Sequence, residues 1–261
     1  YLLVFVRVLE NLGSLKGVNM KKVLITGATG GLAQSLVENL TKNNWQLVLV
    51  SRSSKKLQEI YGDKHTQIIA DCSTSQGAKL IFDEIAARNI TLDSLAHCVG
   101  NIRLGSLHRT SEVDFLDCIS TNLFSAFFTL SGFVEYLKKS STHGSAVFVS
   151  SAAASIGIPN HEVISAAKGG LESLVRSSAA TYAASNIRIN AVSPGILDTP
   201  ASASLLTSDL MREIAAKQYP IKGIGSAEEV ADLMVWLMSE NAQRVTGQVW
   251  SIDAGFSSIR P

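Results

Sequence analysis

Thr26-Gly27-Ala28-Thr29-Gly30-Gly31-Leu32-Ala33 follows the short apolar run Val23-Leu-Ile-Thr26 and leads at once into a helical pattern. Glycine at such a junction has a chemical use. A Cβ would hold the chain away from a pyrophosphate, which must approach the N–H groups exposed at a helix N-terminus. Gly27, Thr29, Gly30, Gly31 and Leu32 therefore read as a phosphate cradle, with Ala33 small enough to let helix pack on strand. A Walker A loop is excluded, since no Gly-Lys-Ser/Thr follows at the required offset. Dinucleotide sites usually place an acidic residue after the second strand to hold the ribose 2′-OH. Here that strand ends Val50-Ser51-Arg52-Ser53. With no carboxylate there to repel a 2′-phosphate and a guanidinium able to pair with it, Ser51 and Arg52 favour NADP(H) over NAD(H).

The elements that must position these residues follow from periodicity. Strands are expected at Val23 to Thr26, Gln46 to Val50, Gln67 to Ala70, Ser94 to Val99, Ala146 to Ser150, Ile187 to Val192 and Val249 to Ile252, alternating with amphipathic helices. Buried stripes recur at Leu32, Ala33, Leu36, Val37 and Leu40, at Ala78, Ile81, Phe82 and Ile85, and at Val230, Leu233, Met234 and Leu237. Ser226 with Glu229 three residues on predicts a capping box. Crossover helices on both faces imply an α/β fold, a Rossmann-like doubly wound sheet of seven parallel strands. No linker or repeat divides the chain, so residues 20–261 are expected to form one domain. Residues 1–19 are expected to be an extension outside it.

Composition narrows the function classes. Of 261 residues, 46% are hydrophobic and 17% charged, with 23 basic against 22 acidic side chains, as in an ordinary soluble globular protein. A net charge of +1 lacks the basic excess that nucleic acid demands. The opening apolar run is broken at Arg7, far short of the roughly 20 residues of a membrane helix, and it lacks the flanks of a signal peptide. Cys72, Cys98 and Cys118 are odd in number and without a CxxC pair, which suggests neither disulfides nor a zinc site, and no metal is expected. A reducing cytoplasm fits best.

The spacing Thr-Gly-x-x-x-Gly-x-Ala, together with the segments downstream, resembles the classical short-chain dehydrogenase/reductase family over nearly all of residues 21–256. The resemblance implies that Asp71 contacts an adenine with its neighbour Cys72, and that Gly100 closes the fourth strand. There Asp93-Ser-Leu-Ala-His97-Cys98-Val99-Gly100 keeps only the glycine of the family's Asn-Asn-Ala-Gly. It further implies that Asn122 and Ser151 belong to a catalytic tetrad, and that Pro194, Gly195 and Thr199 meet the nicotinamide. Thr246-Gly247 and Asp253-Ala-Gly255 fit as well. The family's Tyr-x-x-x-Lys helix reads Ile164-Ser-Ala-Ala-Lys168 here. Lys168 is kept and the phenol is replaced by isoleucine. The tyrosines nearest in sequence are Tyr136 and Tyr182.

Positions 161, 164 and 168 share one helical face, so His161 stands one turn ahead of Ile164. Imidazole is the most usual general acid or base near neutral pH and can stand in for the phenol, with Glu162 orienting it or acting as the acid if burial raises its pKa. The competing reading makes Pro159-Asn160-His161-Glu162 a helix start, with Asn160 as cap. Two functions follow. One is an NADP(H)-dependent oxidoreductase acting on a small carbonyl or alcohol, with Ser151 on the oxygen, Asn122 holding a relay water, Lys168 on the ribose and His161 or water supplying the proton. The other is a non-catalytic dinucleotide-binding protein of the same fold. Leu205, Leu206, Leu210 and Met211 give the segment Leu197 to Gln218 the look of an apolar substrate lid. Leu171, Leu174 and Val175, with apolar residues around Trp250, suggest the faces of a homo-oligomer, a dimer or a tetramer built as a dimer of dimers.

Overall fold

The computed structural model describes residues 20–259. The expected extension, residues 1–19, lies outside the described residues. Seven strands, β1 (Lys22–Thr26), β2 (Gln46–Ser51), β3 (Thr66–Ile69), β4 (Ser94–His97), β5 (Gly144–Val149), β6 (Ile187–Pro194) and β7 (Val249–Ile252), form one parallel sheet in the order β3-β2-β1-β4-β5-β6-β7. Each expected strand is present with its ends moved by up to two residues.

Alternate residues of these strands enter different cores, which is why they read as continuous apolar runs. Leu24, Val48, Val50, Leu95 and Phe148 face α3 (Ser75–Ala87), α5 (Ser125–Lys139) and α6 (Glu162–Tyr182) on one side of the sheet. Val23, Ile25, Leu49, Val147 and Val192 face α1 (Gly31–Lys42) and α8 (Ala227–Met238) on the other. The stripes of α1, α3 and α8 are the surfaces that pack there. The capping box also forms: Ser226 Oγ accepts the Glu229 N–H at 3.2 Å, and Glu229 accepts the Ser226 N–H at 2.9 Å. The remaining helices are α2 (Ser54–Tyr61), α4 (Glu112–Ile119), which runs through a π-turn at Ser120–Phe124 into α5, and α7 (Asp209–Lys217).

Strand order reverses between β1 and β4, whose register pairs Thr26 with His97. Chains leaving neighbouring strands in opposite directions open a crevice at the carboxyl ends, the usual ligand site of such sheets.

One surface was misread. Leu171 and Val175 are sealed in the core beneath α6, with Leu174 packed against it, because an amphipathic stripe looks the same whether it meets a sheet or another subunit. The larger apolar exposure lies along α4, the π-turn and α5, at Val113, Leu116, Phe124 and Phe127.

Candidate active site

The crevice is built by close backbone approach. Gly27 has a φ of +71°, and a Cβ on it would lie 2.8 Å from the Val99 nitrogen. No side chain caps α1 and no acidic residue occupies its first turn, which leaves the positive end of the helix facing the crevice. A cavity of about 190 Å³ at the mouth brings together Gly27, Thr29, Gly30, Ser51, Arg52, Asp71, Cys72 and Gly100. Leu32 is half-buried in the first turn of α1, and Gly31 lies against Thr199 and Pro200, within 3.1 Å of the Thr199 Cβ if it carried a Cβ of its own. Thus the segment after β6 closes down on the cradle, and the glycines at 27 and 31 are required by close approach of other parts of the chain.

Two features at the Arg52 side of this cavity were not legible in the sequence. The Arg52 guanidinium stands 3.9 Å from Asp71 Oδ2, so the basic group faces an acidic neighbour from the loop after the third strand. Burial pushes the Asp71 carboxyl up, but hydrogen bonds from Ser73 and the Arg52 charge outweigh it and hold the group below the usual carboxylate range. Cys72 is buried in the core, where burial lifts its thiol to about 12.

His97 occupies the place where the resemblance leads one to expect asparagine. It is fully enclosed, with Nδ1 2.8 Å from Thr26 Oγ1 and Nε2 3.0 Å from Ser125 Oγ, and Ser125 in turn donates to the Thr121 carbonyl at 2.6 Å. One chain of hydrogen bonds ties β1 and β4 to the π-turn. Burial, and after it the Lys168 charge, pushes the imidazole down to about 3.

The π-turn matters because it presents Asn122, which is wholly buried. Its Nδ2 donates to the Asn101 side chain at 2.7 Å, to the Asn101 carbonyl at 3.1 Å and to the Cys118 carbonyl at 2.9 Å. Those donors are committed to protein partners, not left open for the expected water. Asn101, absent from the sequence reading, continues the chain to Asp117 at 2.8 Å. Lys168 is 6% exposed, and its Nζ donates to the Val149 carbonyl at 2.7 Å. Burial lowers its pKa to about 8, while the Cys118 and Cys98 thiols act weakly the other way. Gly100 is the hinge of this group. A Cβ there would stand 2.9 Å from Asn122 Oδ1 and 3.4 Å from Lys168 Nζ.

A second cavity, of about 290 Å³, holds Ser151, His161, Ile164, Pro194 and Gly195. Ile164 is 4% exposed and presents methyl groups where a phenol was expected. His161 reaches this cavity as predicted, with Nδ1 2.8 Å from the Pro159 carbonyl, an arrangement in which Nδ1–H donates and Nε2 is left to the cavity. Glu162 is exposed and lies outside the cavity lining, which removes it as a buried acid. Asn160 is not the cap either. It sits at φ +62°, and the cap position falls to His161 without a side-chain bond. Leu205 and Met211 line the cavity and Leu206 is buried, but Leu210 points to solvent. Arg212 clamps Asp198 with bonds of 2.6 and 3.0 Å, which ties α7 to the start of the segment Leu197 to Gln218. Tyr219, from the turn after α7, lines the same cavity, so a tyrosine is present after all.

A doubly wound parallel sheet with a glycine cradle at its switch point places the protein among Rossmann-like α/β proteins. Residues 27–257 match a family model described as Enoyl-(Acyl carrier protein) reductase, and the chain belongs to the short-chain dehydrogenase/reductase family. It is 34% identical over 245 residues to a tropinone reductase homolog of Arabidopsis thaliana, covering 91% of this chain and 92% of that one. The structure of ElxO with NADP bound superposes with a TM-score of 0.86 at 25% identity, over 92% of this chain and 100% of the other. A tyrosine-to-phenylalanine variant of ElxO with NADPH bound gives 0.85 at 26%, with 92% and 100% covered.

The buried His97 makes stability depend on pH. The unfolded chain binds a proton near pH 6.5 and the folded chain resists it down to about 3, so the contribution is intact above 6.5 and is lost on acidification. Between pH 6.5 and 4.5 the native protein should lose stability more steeply than His97→Gln, by up to about 1.4 kcal/mol per pH unit. Denaturant titrations at a series of pH values check this, and parallel profiles would contradict it.

Proposed function

We propose that the protein is an NADP(H)-dependent oxidoreductase that interconverts a small, largely apolar carbonyl compound and its alcohol without a tyrosine at the family's helix position. The observation that carries this reading is the presence of two cavities at the carboxyl ends of the strands: a glycine cradle bordered by Gly100, against which Asn122 and Lys168 are packed, and a hydroxyl-bearing apolar chamber. A bound nicotinamide dinucleotide supplies or accepts the hydride. Gly27, Thr29, Gly30, Gly31 and Leu32 would hold its pyrophosphate, and Ser51 and Arg52 would take the 2′-phosphate. Asp71, held ionised, faces the adenine end. Pro194, Gly195 and Thr199 border the nicotinamide. Lys168, charged below about pH 8, faces the ribose hydroxyls, and the Asn122–Asn101 pair keeps the turn beneath it rigid. Ser151 polarises the substrate oxygen, and His161 delivers or removes the proton through Nε2. The solved ElxO variant, which has phenylalanine for a tyrosine, holds NADPH. That supports cofactor binding that does not wait on every phenol of such a protein.

The competing reading, a cofactor-binding protein without turnover, is favoured by Ile164 itself. Losing a positioned general acid costs about 10² to 10⁴ in rate. With NADPH and a panel of ketones, the native protein should turn over at least one substrate. His161→Ala should abolish turnover while keeping NADPH affinity, and Ile164→Tyr should raise the rate roughly 10²-fold. An inert native protein rescued by Ile164→Tyr would establish the binding reading, and full activity in His161→Ala would remove the imidazole from the mechanism.

Calorimetric titration should rank NADPH above NADH, and Arg52→Ala should erase most of the difference, since a single charge-assisted pair is at stake. A preference for NADH would overturn the reading of the strand end, with Asp71 the group responsible.

Self-association belongs to the same proposal, through the exposed Val113, Leu116, Phe124 and Phe127 face. Light scattering should report an oligomer for the native chain and a monomer for Phe127→Glu. A native monomer at micromolar concentration would refute it.

A further inference from the structure

Ile164 takes a phenol from one wall of the chamber, and Tyr219 brings one to another. Tyr219 is 8% exposed, with its ring centroid 4.9 Å from that of Phe256. The ring also lies flush with Gly195, where an added Cβ would fall 2.7 Å from its edge. Its oxygen accepts the Ile196 N–H at 2.6 Å, which fixes the hydroxyl at the chamber wall. Among the described residues nothing accepts the phenolic proton. Ser151 is in the same condition: its Oγ accepts the Ala153 N–H at 3.2 Å and donates to no described group. The chamber therefore holds two hydroxyl donors without acceptors. Ile102, Leu104, Leu205, Met211 and Ile214 line the space around them; the other polar side chains of the lining, His161 and Gln218, make no hydrogen bond to either hydroxyl.

A buried donor without an acceptor costs free energy that a ligand oxygen recovers. Burial holds this phenol above its ordinary pKa, the Ile196 bond opposing it and the Asp253 charge adding to it, so the hydroxyl remains a donor through the ordinary pH range. A volume of about 290 Å³ lies at the small end of ligand pockets and suits a molecule of one or two rings.

We infer that Tyr219 is a specificity residue that donates a hydrogen bond to a second oxygen of the substrate, whose reacting oxygen is held at Ser151. The substrate class is thereby narrowed to compact apolar compounds with two oxygens, such as diketones and keto esters. A chamber built to bond an oxygen rejects analogues that lack it, which gives the site its selectivity. This inference rests on the carbonyl reading above.

The test is a matched-ligand titration by calorimetry on protein saturated with NADP⁺, where no hydride can move. The probes are 1-decalone and a set of decalin diketones that differ only in where the second carbonyl lies. At least one diketone should bind about tenfold more tightly than 1-decalone to the native protein. In Tyr219→Phe that advantage should fall to parity, with 1-decalone affinity little changed. Equal or undetectable binding of all probes by the native protein would overturn the inference and needs no variant. So would an advantage that survives in a Tyr219→Phe protein with a native melting curve. If NADP⁺ itself does not bind, the cofactor reading fails, and the same comparison on ligand-free protein still decides the role of Tyr219.

Discussion

Burying an ammonium group is the constraint around which the centre of the molecule is organised. Lys168 lies beneath the crevice with one fixed acceptor, the Val149 carbonyl at the end of β5. A desolvated cation is tolerable only where its charge is compensated or where a ligand completes its shell, and burial has already drawn its pKa to about 8. The neighbours accommodate it. His97 stays neutral, Gly100 keeps its side of the space open, and the thiols of Cys98 and Cys118 stand near without ionising, Cys98 held up at about 12 by burial. The lysine's two protons without an acceptor among the described residues are the reason to regard the crevice as a site rather than a seam in the packing.

Much of the fold could be read directly. Strand runs buried on both faces and helices with a 3- and 4-residue stripe fix a parallel sheet with two covered faces, and a glycine turn after the first strand marks its switch point. The residues of the cradle were legible for the same reason, since their spacing is local. What escaped came from elements distant in sequence. Tyr219 reaches the chamber only because the segment after β6 folds back over Gly195, and Asn101 meets Asn122 only because the loop after β4 passes the π-turn. No periodicity announces either contact. Arg52 looked like a free basic group because its carboxylate neighbour, Asp71, is supplied by the loop after the adjacent strand.

The misread helix face has a different origin. Amphipathicity says that one face of α6 avoids water and leaves the covering surface open. Here the sheet covers Leu171 and Val175, so the unpartnered apolar area falls to α4 and α5 instead. The sequence shows only that His97 stands where the resemblance leads one to expect asparagine. In the fold it is a structural solution of its own, a neutral imidazole bridging Thr26 and Ser125.

The proposed function is hydride chemistry carried out with an altered proton path. Deuterium transfer tests that most directly. NADPH carrying deuterium at C4, prepared separately on each face of the ring, is incubated with the native protein and the ketone panel, and the alcohols are examined by mass spectrometry. Deuterium from one face alone, appearing in at least one product at a rate well above the protein-free control, is the predicted result. Tight NADPH binding with no deuterium in any product would mean that the site holds the cofactor and does not use it.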